Sequence, residues 1–294
     1  MPGRRLRSEE EHIDSRHKAK NPDMVRRRAV LRETVDRLSN TEPTNKYHLL
    51  AQTNLQRWSD TRGSTIDSPC VQIISGDWGD VTHSMTKQYG RCFAVLNMAN
   101  AFVPGGAYVE GAVAQEENMF RRTDCHFRVG SEEYDASLDQ YVPEMTALLS
   151  AERGKVYLDT VHPRVCIRGP EKRSCHDLGY EWLAEDEVFP FFELRASAQD
   201  LRDGSDFSES STRQRIAAQL DTLMDQNKSY VIFGAFGCGA FLNPADRVAK
   251  LYRDEIHKRQ RHFTVIAFAI YNAGYGPDNF TPFQQVFSEQ LKLG

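Results

Sequence analysis

One stretch, residues 95–122 with the sequence VLNMANAFVPGGAYVEGAVAQEENMFRR, constrains the fold of this chain more than any other. An apolar run at 92–96 predicts a buried strand, which leads through two asparagines into a turn that contains Gly105 and Gly106. Glycines tolerate positive φ and allow a ligand to lie directly against main-chain N–H groups. Two adjacent glutamates follow within a dozen residues. The pattern indicates a strand that delivers an anion-binding turn and paired carboxylates to one site, although a plain turn before a solvated acidic helix would look similar.

A second stretch, YVIFGAFGCGAFLNP at 230–244, also places glycines between a predicted strand and a predicted helix. Taken alone, these glycines fit a simple strand-to-helix turn. The small residues around Cys238 and the helix N-terminus that follows favour anion binding. In open α/β sheets, ligands bind beyond the carboxyl ends of the strands. We therefore expect the two glycine-rich stretches to meet at one edge of a sheet.

Around these stretches, strand patterns alternate with helix patterns along the chain. The predicted strands are 71–74, 92–96, 156–167, 189–196, 230–233 and 263–270, and the predicted helices are 23–38, 80–89, 210–227 and one that starts at Pro244. Residues 40–69 have the composition of a polar connector, and the charged excursion 168–188 is long enough to lie beside the site as a lid. The alternation predicts an α/β fold, a three-layer α/β/α sandwich around a mixed sheet with an N-terminal helical extension.

Length and composition favour one decorated domain, because 294 residues lie at the top of the single-domain range. We expect a disordered charged tail at 1–22, a helical extension packed on the core at 23–69, and the main domain at 70–294. The arginines of the tail can dock a partner, although a solvated tail is the reading we favour. The net charge of −4 argues against direct nucleic-acid binding.

The sequence contains no membrane span and no secretory signal, since no run of 18 apolar residues exists and the N-terminus lacks an apolar region. The six cysteines are scattered without paired spacing, which predicts reduced thiols in a cytoplasmic or nuclear protein. Cys166, Cys175 and His176 do not complete a zinc set at the usual spacing. We expect no metal and no cofactor.

The motifs Leu96-Asn97-Met98-Ala99-Asn100, the Gly-Gly turn, Gln115-Glu116-Glu117 and the 230–244 stretch resemble the signature of microbial-type poly(ADP-ribose) glycohydrolases, a branch of the macrodomain superfamily. They fall in the expected order, and the resemblance spans residues 23–287. It implies a macrodomain-like catalytic domain at 70–294. The implied activity cleaves the ribose C1″ glycosidic bond and releases ADP-ribose from ADP-ribosylated proteins or poly(ADP-ribose).

The same resemblance implies roles for individual residues. Glu117 would be the catalytic acid/base, and Glu116 would position the ribose hydroxyls. The residues implied to bind ADP-ribose are Asn100, Gly105, Gly106, Ala107, Gln115, Gly234, Ala235, Phe236, Gly237, Cys238, Gly239, Ala240 and Phe241. Candidate contacts to adenine or to the acceptor are Asp77, Asp124, Asn279 and Phe280. Plain structural roles compete for several of these, such as an N-cap for Asp77 and core packing for Phe241 and Phe280.

Two departures from the family pattern leave the substrate open. Ala107 stands where a third glycine is usual, and the run 118–124 differs from the small, serine-rich run of the microbial branch. Asp124, seven residues after Glu117, can share a helix face with it and grip a guanidinium, which would suit arginine-linked ADP-ribose. We favour a surface ion pair of Asp124 with Arg121 or Arg128. A non-catalytic ADP-ribose-binding module is the third alternative, and the intact Gln-Glu-Glu argues against it.

Overall fold

The computed structural model describes residues 4, 6, 21–41, 45–62, 67–272 and 276–288. The helices in these ranges are α1 (Pro22–Ser39), α2 (Lys46–Arg62), α3 (Trp78–Tyr89), α4 (Gln115–Arg122), α5 (Pro143–Leu149), α6 (Glu209–Asp225), α7 (Ala245–Arg259) and α8 (Phe280–Ser288). The strands are β1 (Cys70–Ser75), β2 (Ala94–Met98), β3 (Tyr134–Asp135), β4 (Gln140–Tyr141), β5 (Tyr157–Cys166), β6 (Phe189–Ala196), β7 (Tyr230–Phe233) and β8 (Val265–Ile270). Short 3-10 helices lie at Asp124–Arg128 and Glu185–Glu187.

Six strands form one mixed sheet in the order β1-β8-β7-β2-β6-β5. The first five are parallel, and β5 runs antiparallel to β6 at one edge. The short strands β3 and β4 form a separate antiparallel pair. Helices cover both faces of the sheet, so the predicted three-layer α/β/α sandwich is confirmed.

Two hydrophobic cores lie on opposite faces of the sheet, and successive residues of a strand alternate between them. In β8, Phe268 packs with α6, α7 and α8, whereas its neighbours Ala267 and Ala269 pack with α3 and α4. Strands covered on both faces read as near-continuous apolar runs. This explains the apolar runs of β7 and β8, and of β2 up to Leu96, that made these strands visible in the sequence.

The prediction that residues 40–69 form a polar connector is wrong over most of that range, because α2 occupies Lys46–Arg62. Its buried residues are Tyr47, Ala51, Asn54 and Trp58, at helical spacing. Asn54 donates through Nδ2 to the carbonyl oxygens of Glu185 and Val188, at 2.8 and 2.9 Å. A polar residue thus completes the buried face, which weakened the apolar pattern that predicts a helix.

The predicted tail 1–22 lies mostly outside the described residues, but Arg4 is an exception and corrects the expectation of a solvated tail there. Its side chain is only 6% exposed and is bonded to the core. At the other end of this segment, Asn21 caps α1 by accepting from the N–H of Asp23 at 3.0 Å.

Two sequence-level expectations concern the chain as a whole. No helix in the described part of the chain is long and apolar enough to cross a membrane. All six cysteines are free, as their scattered spacing predicted.

Candidate active site

A cavity of about 670 Å³ lies at the carboxyl edge of the sheet. Residues that follow each of the five parallel strands line it: Asp77 after β1, Tyr271 after β8, Ala235 after β7, Asn100 after β2 and Ala198 after β6. The two glycine-rich stretches contribute neighbouring walls because β2 and β7 are adjacent. This placement was the central expectation from the sequence.

Glu116 lies in the first turn of α4 and is almost completely buried. Its Oε2 accepts from the backbone N–H of Asn100 at 2.7 Å, and its Oε1 accepts from that of Gly105 at 3.1 Å. Both carboxyl oxygens are therefore held by the loop that follows β2. Glu116 fixes this loop to the start of α4.

Glu117 also lines the cavity and is 8% exposed. Its Oε1 accepts from the N–H of Ala107 at 3.1 Å, whereas its Oε2 has no hydrogen-bond partner among the described residues. The two adjacent glutamates thus differ in one respect. Only Glu117 has a carboxyl oxygen without a hydrogen bond within the described residues.

Burial and the neighbouring Glu117 raise the pKa of Glu116 well above its ordinary value. Burial also raises the pKa of Glu117, against the opposing effect of backbone hydrogen bonds and of Arg121. Two carboxyl groups this close in a dry site disfavour double ionisation. The pair is therefore suited to retain a proton at a pH where exposed glutamates have lost theirs.

The Gly105-Gly106 turn is required by this arrangement, but not in the way that the sequence suggested. Both residues have positive φ, and a Cβ at Gly106 would lie 2.5 Å from Oε1 of Glu117. The turn's N–H groups are occupied, since those of Gly105 and Ala107 donate to the glutamates and that of Gly106 donates to Val103. The turn holds the carboxylates, which corrects the expectation that it cradles a phosphate.

Gln115 and Asn100 were both predicted to lie at this site, and both line the cavity. The Gln115 amide is used within the protein: its Oε1 accepts from Met98 N and its Nε2 donates to Leu96 O, each at 3.0 Å. Gln115 therefore anchors α4 to β2. Asn100 accepts from the N–H groups of Phe102 and Val103 through Oδ1, so its amide nitrogen is the part that remains for a ligand.

The loop after β7 divides into residues that line the cavity and residues that support it. Ala235, Gly237, Gly239, Ala240 and Phe241 line it. The N–H groups of Gly239, Ala240 and Phe241 donate to no acceptor within the described residues. Backbone donors of this kind, next to the N-terminus of α7, suit an anion. This loop, more than the Gly105-Gly106 turn, has the free donors that a pyrophosphate needs.

Three predicted members of that loop lie away from the cavity. Phe236 and Cys238 are buried in the core on the α6–α8 face of the sheet. A Cβ at Gly234 would meet the side chain of Met98, which itself lines the cavity, at 3.3 Å. The side chains of Phe236 and Cys238 therefore support the loop, and ADP-ribose contacts from these three residues stay a prediction.

Three of the candidate adenine contacts, Asp77, Asn279 and Phe280, also line the cavity. Asp77 caps α3, accepting from Gly79 N at 2.8 Å, and forms an ion pair with the buried Arg122. Asn279 and Phe280 line the cavity, and Oδ1 of Asn279 is buried without a hydrogen-bond partner among the described residues. The N-cap role of Asp77 is present. A ligand contact remains a prediction for all three residues.

Asp124 is buried beyond the end of α4 and does not line the cavity, so it does not share a helical face with Glu117. It accepts from Arg128 Nε at 2.8 Å and from Val165 N at 2.8 Å, and it lies 3.0 Å from His48 Nε2. Burial opposes ionisation, but the His48 hydrogen bond and Arg128 prevail and lower its pKa to about 2. The pair with Arg128 was expected, although as a surface bridge.

Some cavity residues were not singled out from the sequence. Glu171 and Arg173 of the 168–188 excursion line the cavity, which places that excursion beside the site as expected. Arg202, in the connection after β6, also lines it, and its guanidinium lies 5.1 Å from the Phe241 ring while it pairs with Asp200. A single arginine in a polar connection carries no sequence signal. The described residues contain no group of three or more His, Cys, Asp or Glu side chains that could hold a metal ion.

Comparison with known proteins agrees with this geometry. Residues 20–148 match the family model of the microbial-type PARG catalytic domain, where PARG is poly(ADP-ribose) glycohydrolase. No curated protein sequence matches the chain.

Solved structures match the fold over most of the chain. The poly(ADP-ribose) glycohydrolase of Thermomonospora curvata is 21% identical, with 89% of this chain and 99% of that chain covered and a TM-score of 0.60. The enzyme of Deinococcus radiodurans in complex with ADP-ribose is 19% identical, with 84% and 92% covered and a TM-score of 0.53. The same fold and the family match over 20–148 confirm the resemblance to microbial-type PARG that the sequence motifs indicated.

Proposed function

We propose that this protein is an ADP-ribosyl glycohydrolase of the microbial PARG type, which cleaves the ribose C1″ bond of protein-linked ADP-ribose or poly(ADP-ribose). The observation that carries this proposal is the difference in hydrogen bonding between the carboxyl groups of Glu116 and Glu117. Glu116 has both oxygens engaged by backbone N–H groups, whereas Glu117, a cavity-lining residue, has a buried Oε2 without a hydrogen-bond partner among the described residues. Only the second is arranged to exchange a proton with a substrate.

Cleavage of a glycosidic bond passes through an oxocarbenium-like transition state and requires a proton on the leaving oxygen. A carboxyl group whose pKa is raised by burial retains that proton at higher pH than an exposed one. Glu117 would protonate the leaving oxygen through Oε2. The negative charge of the pair would then stabilise the positive charge that develops on the ribose.

The rest of the cavity suits the remainder of ADP-ribose. Its volume of about 670 Å³ lies within the usual range for sites that bury a small ligand. The free N–H groups of Gly239, Ala240 and Phe241 would donate to the pyrophosphate, and Asn279 and Phe280 would contact the adenine. The Deinococcus radiodurans enzyme of the same fold is known in complex with ADP-ribose, which supports this ligand.

The alternatives differ in how well the site supports them. Specificity for arginine-linked ADP-ribose rested on Asp124, which is buried away from the cavity and paired with Arg128. A module that only binds ADP-ribose has no use for a buried glutamate with an unpaired oxygen. We therefore rank the glycohydrolase first, with poly(ADP-ribose) or ADP-ribosylated protein as substrate and free ADP-ribose as product.

The direct test is Glu117→Gln, which keeps shape but removes the transferable proton. We expect turnover to fall by at least about 100-fold while the Kd for ADP-ribose, measured by calorimetry, changes only a few-fold. Glu152→Gln, on the exposed segment after α5, is the matched control and should behave as wild type. Near-normal turnover of Glu117→Gln would remove Glu117 from the mechanism. Binding of ADP-ribose without release from polymer or protein by the wild type would favour the binding module.

A further inference from the structure

Arg4 lies against the loop that holds Glu117, although it is far from that loop in sequence and outside the residues 20–148 that match the family. The guanidinium donates through Nη1 to the carbonyl oxygen of Gly106 at 2.5 Å. It also forms a two-point pair with Asp139, with Nε–Oδ1 and Nη2–Oδ2 distances of 2.8 and 2.6 Å. An arginine that is 94% buried and bonded on several sides is fixed in position.

The carbonyl of Gly106 and the N–H of Ala107 belong to the same peptide group. Arg4 is bonded to the carbonyl end, and Glu117 Oε1 is bonded to the N–H end at 3.1 Å. A cation on the carbonyl polarises the peptide and strengthens the hydrogen bond that its N–H donates, because hydrogen bonds in a chain reinforce one another. The charge of Arg4 is thus transmitted through one peptide group to the carboxylate.

We infer that Arg4 is a positioning residue for Glu117, which it fixes through the Gly106–Ala107 peptide group, so that this one residue near the start of the sequence sets the competence of the active site. The inference rests on the proposed function. It assigns no contact between Arg4 and the substrate. It predicts that Arg4 controls how readily Glu117 ionises as well as where it lies.

The helix that follows the N-terminal segment approaches the same loop and supports this arrangement. A Cβ at Gly111 would lie 2.4 Å from the carbonyl oxygen of Met24, in α1, so the backbones of α1 and the loop are in close contact. Thr34, also in α1, donates through Oγ1 to the carbonyl oxygen of Arg121 in α4 at 2.7 Å. The N-terminal part of the chain therefore contacts both the loop and the helix that position Glu117.

The charged groups around Glu117 determine the direction of the expected effect. Glu116 and Arg121 belong to its own helix, Glu110 to the loop, and Arg202 to the connection after β6. All of these groups remain when Arg4 is replaced by alanine, but Glu110 loses its ion pair with Arg4 Nη2, at 3.3 Å. The N–H of Ala107 stabilises the ionised form of Glu117, and loss of Arg4 weakens that hydrogen bond. The uncompensated charge of Glu110 acts in the same direction, so the pH limb of turnover that belongs to Glu117 should move to higher pH.

The test compares Arg4→Ala, Arg4→Lys and wild type in the full chain, with kcat, KM, the pH profile of kcat, and the calorimetric Kd for ADP-ribose. We expect Arg4→Ala to lower kcat about tenfold on the plateau below the Glu117 limb, because Glu117 is held less well in position, to shift that limb to higher pH, and to leave Kd within about threefold. Arg4→Lys keeps a cation near the Gly106 carbonyl and should restore part of kcat and of the pH limb.

Arg259→Ala is the matched control, because Arg259 makes the same two-point pair with Asp221, at 2.6 and 3.0 Å, outside the cavity lining. It should lower thermal stability without moving the pH limb. An Arg4→Ala protein that loses stability as the control does, with kcat and the limb unchanged, would overturn the inference. A wild type that releases no ADP-ribose would instead overturn the proposed function, so the two failures are distinguishable.

Discussion

A Cβ at Gly106 would lie 2.5 Å from Oε1 of Glu117, closer than any real contact of this kind, and Gly106 has a φ of +57°. Glycine is therefore required at this position for two reasons: the positive φ of the backbone and the carboxylate that lies against it. We expect Gly106→Ala to displace Glu117 and to lower turnover at least about tenfold, besides costing about 1–2 kcal/mol of stability through the left-handed conformation. Steady-state kinetics with thermal unfolding measures both effects.

Gly204→Ala supplies the control for that substitution. Gly204 also has positive φ, +85°, but a Cβ there would meet nothing within 4 Å. It should show the conformational cost without the loss of turnover. Equal turnover of the two alanine variants would show that the contact between Gly106 and Glu117 has no role in catalysis.

Gly239→Val tests the loop after β7 as the pyrophosphate site. Gly239 lines the cavity, and a Cβ there would have no neighbour within 4 Å. The valine side chain should therefore be tolerated by the fold and occupy space needed by the ligand. We expect the calorimetric Kd for ADP-ribose to rise at least about tenfold with little change in Tm.

Gly234→Val provides the contrast in the same loop. Its side chain would press against Met98, so we expect a lower Tm and a smaller effect on Kd than for Gly239→Val. Normal ADP-ribose affinity in Gly239→Val would place the pyrophosphate elsewhere.

The buried glutamate pair predicts an unusual pH dependence. Burial raises the pKa of both groups, and in the proposed mechanism the proton on Glu117 is the one that catalysis uses. The protonated form exists below the raised pKa, so kcat should fall as pH rises through that value, above the range of about 4.3 expected for an exposed glutamate. A pH profile of kcat from wild type and Glu117→Gln measures this limb. A limb that persists unchanged in the residual activity of the variant would belong to another group.

The fold should survive the acidic part of that profile. Burial opposes the ionisation of Asp124, Glu171 and Glu193, but their arginine partners and hydrogen bonds prevail and lower each pKa to about 2. Groups with a lowered pKa contribute stability that is present above their ordinary pKa and is lost only as pH falls towards about 2. His126 acts in the opposite direction, because burial lowers its pKa to about 4 and the fold therefore loses stability as pH falls below the ordinary pKa of histidine. Circular dichroism at the same pH separates a loss of activity at the site from unfolding.

Arg202 predicts a preference among substrates. It is a half-exposed cation, 55% accessible, at the end of the cavity where β6 delivers Ala198, and its charge acts on Glu117. A leaving group that carries a pyrophosphate, as the next unit of a polymer does, would be attracted there, whereas an uncharged acceptor side chain would not. We expect Arg202→Ala to lower kcat/KM on poly(ADP-ribose) about threefold to fivefold and to leave single-unit substrates nearly unchanged.

Arg247→Ala is the control for Arg202→Ala. Arg247 also pairs with an acid, Glu209 at 2.8 Å, and also lies over a phenylalanine ring, that of Phe207 at 4.6 Å, but it does not line the cavity. Added salt should reduce the difference between wild type and Arg202→Ala on polymer, because it screens exposed charges. An equal loss on polymer and single-unit substrates would make Arg202 a structural residue.

The sequence predicted the sheet well because the central strands are covered on both faces and are largely apolar, most completely in β8. It missed α2 because Asn54, whose amide is satisfied by two backbone carbonyls, occupies part of the buried face. The sequence also placed Asp124 on the same helical face as Glu117, which is wrong because α4 ends at Arg122, before Asp124.

Within the site, motifs predicted which stretches meet but not which atoms remain free. Gly105 and Gly106 were read as a phosphate cradle, yet their N–H groups are occupied by Glu116 and by Val103. That assignment depends on hydrogen bonds between loops, which spacing along the chain does not encode. The buried position of Arg4 was even harder to predict from the sequence, because its partner Asp139 is 135 residues away.

The order of strands has a consequence for how this enzyme must be synthesised. Residues 20–148 match the catalytic family and contain both glutamates, yet their two long strands, β1 and β2, do not touch, because β8 and β7 lie between them. A nascent chain that has emerged from the ribosome only to residue 148 cannot form the sheet, because the strands that pair with β1 and β2 have not yet been made. Active enzyme can therefore appear only after β8 has emerged, and a protein shortened before Val265 would retain the catalytic motif without a folded site.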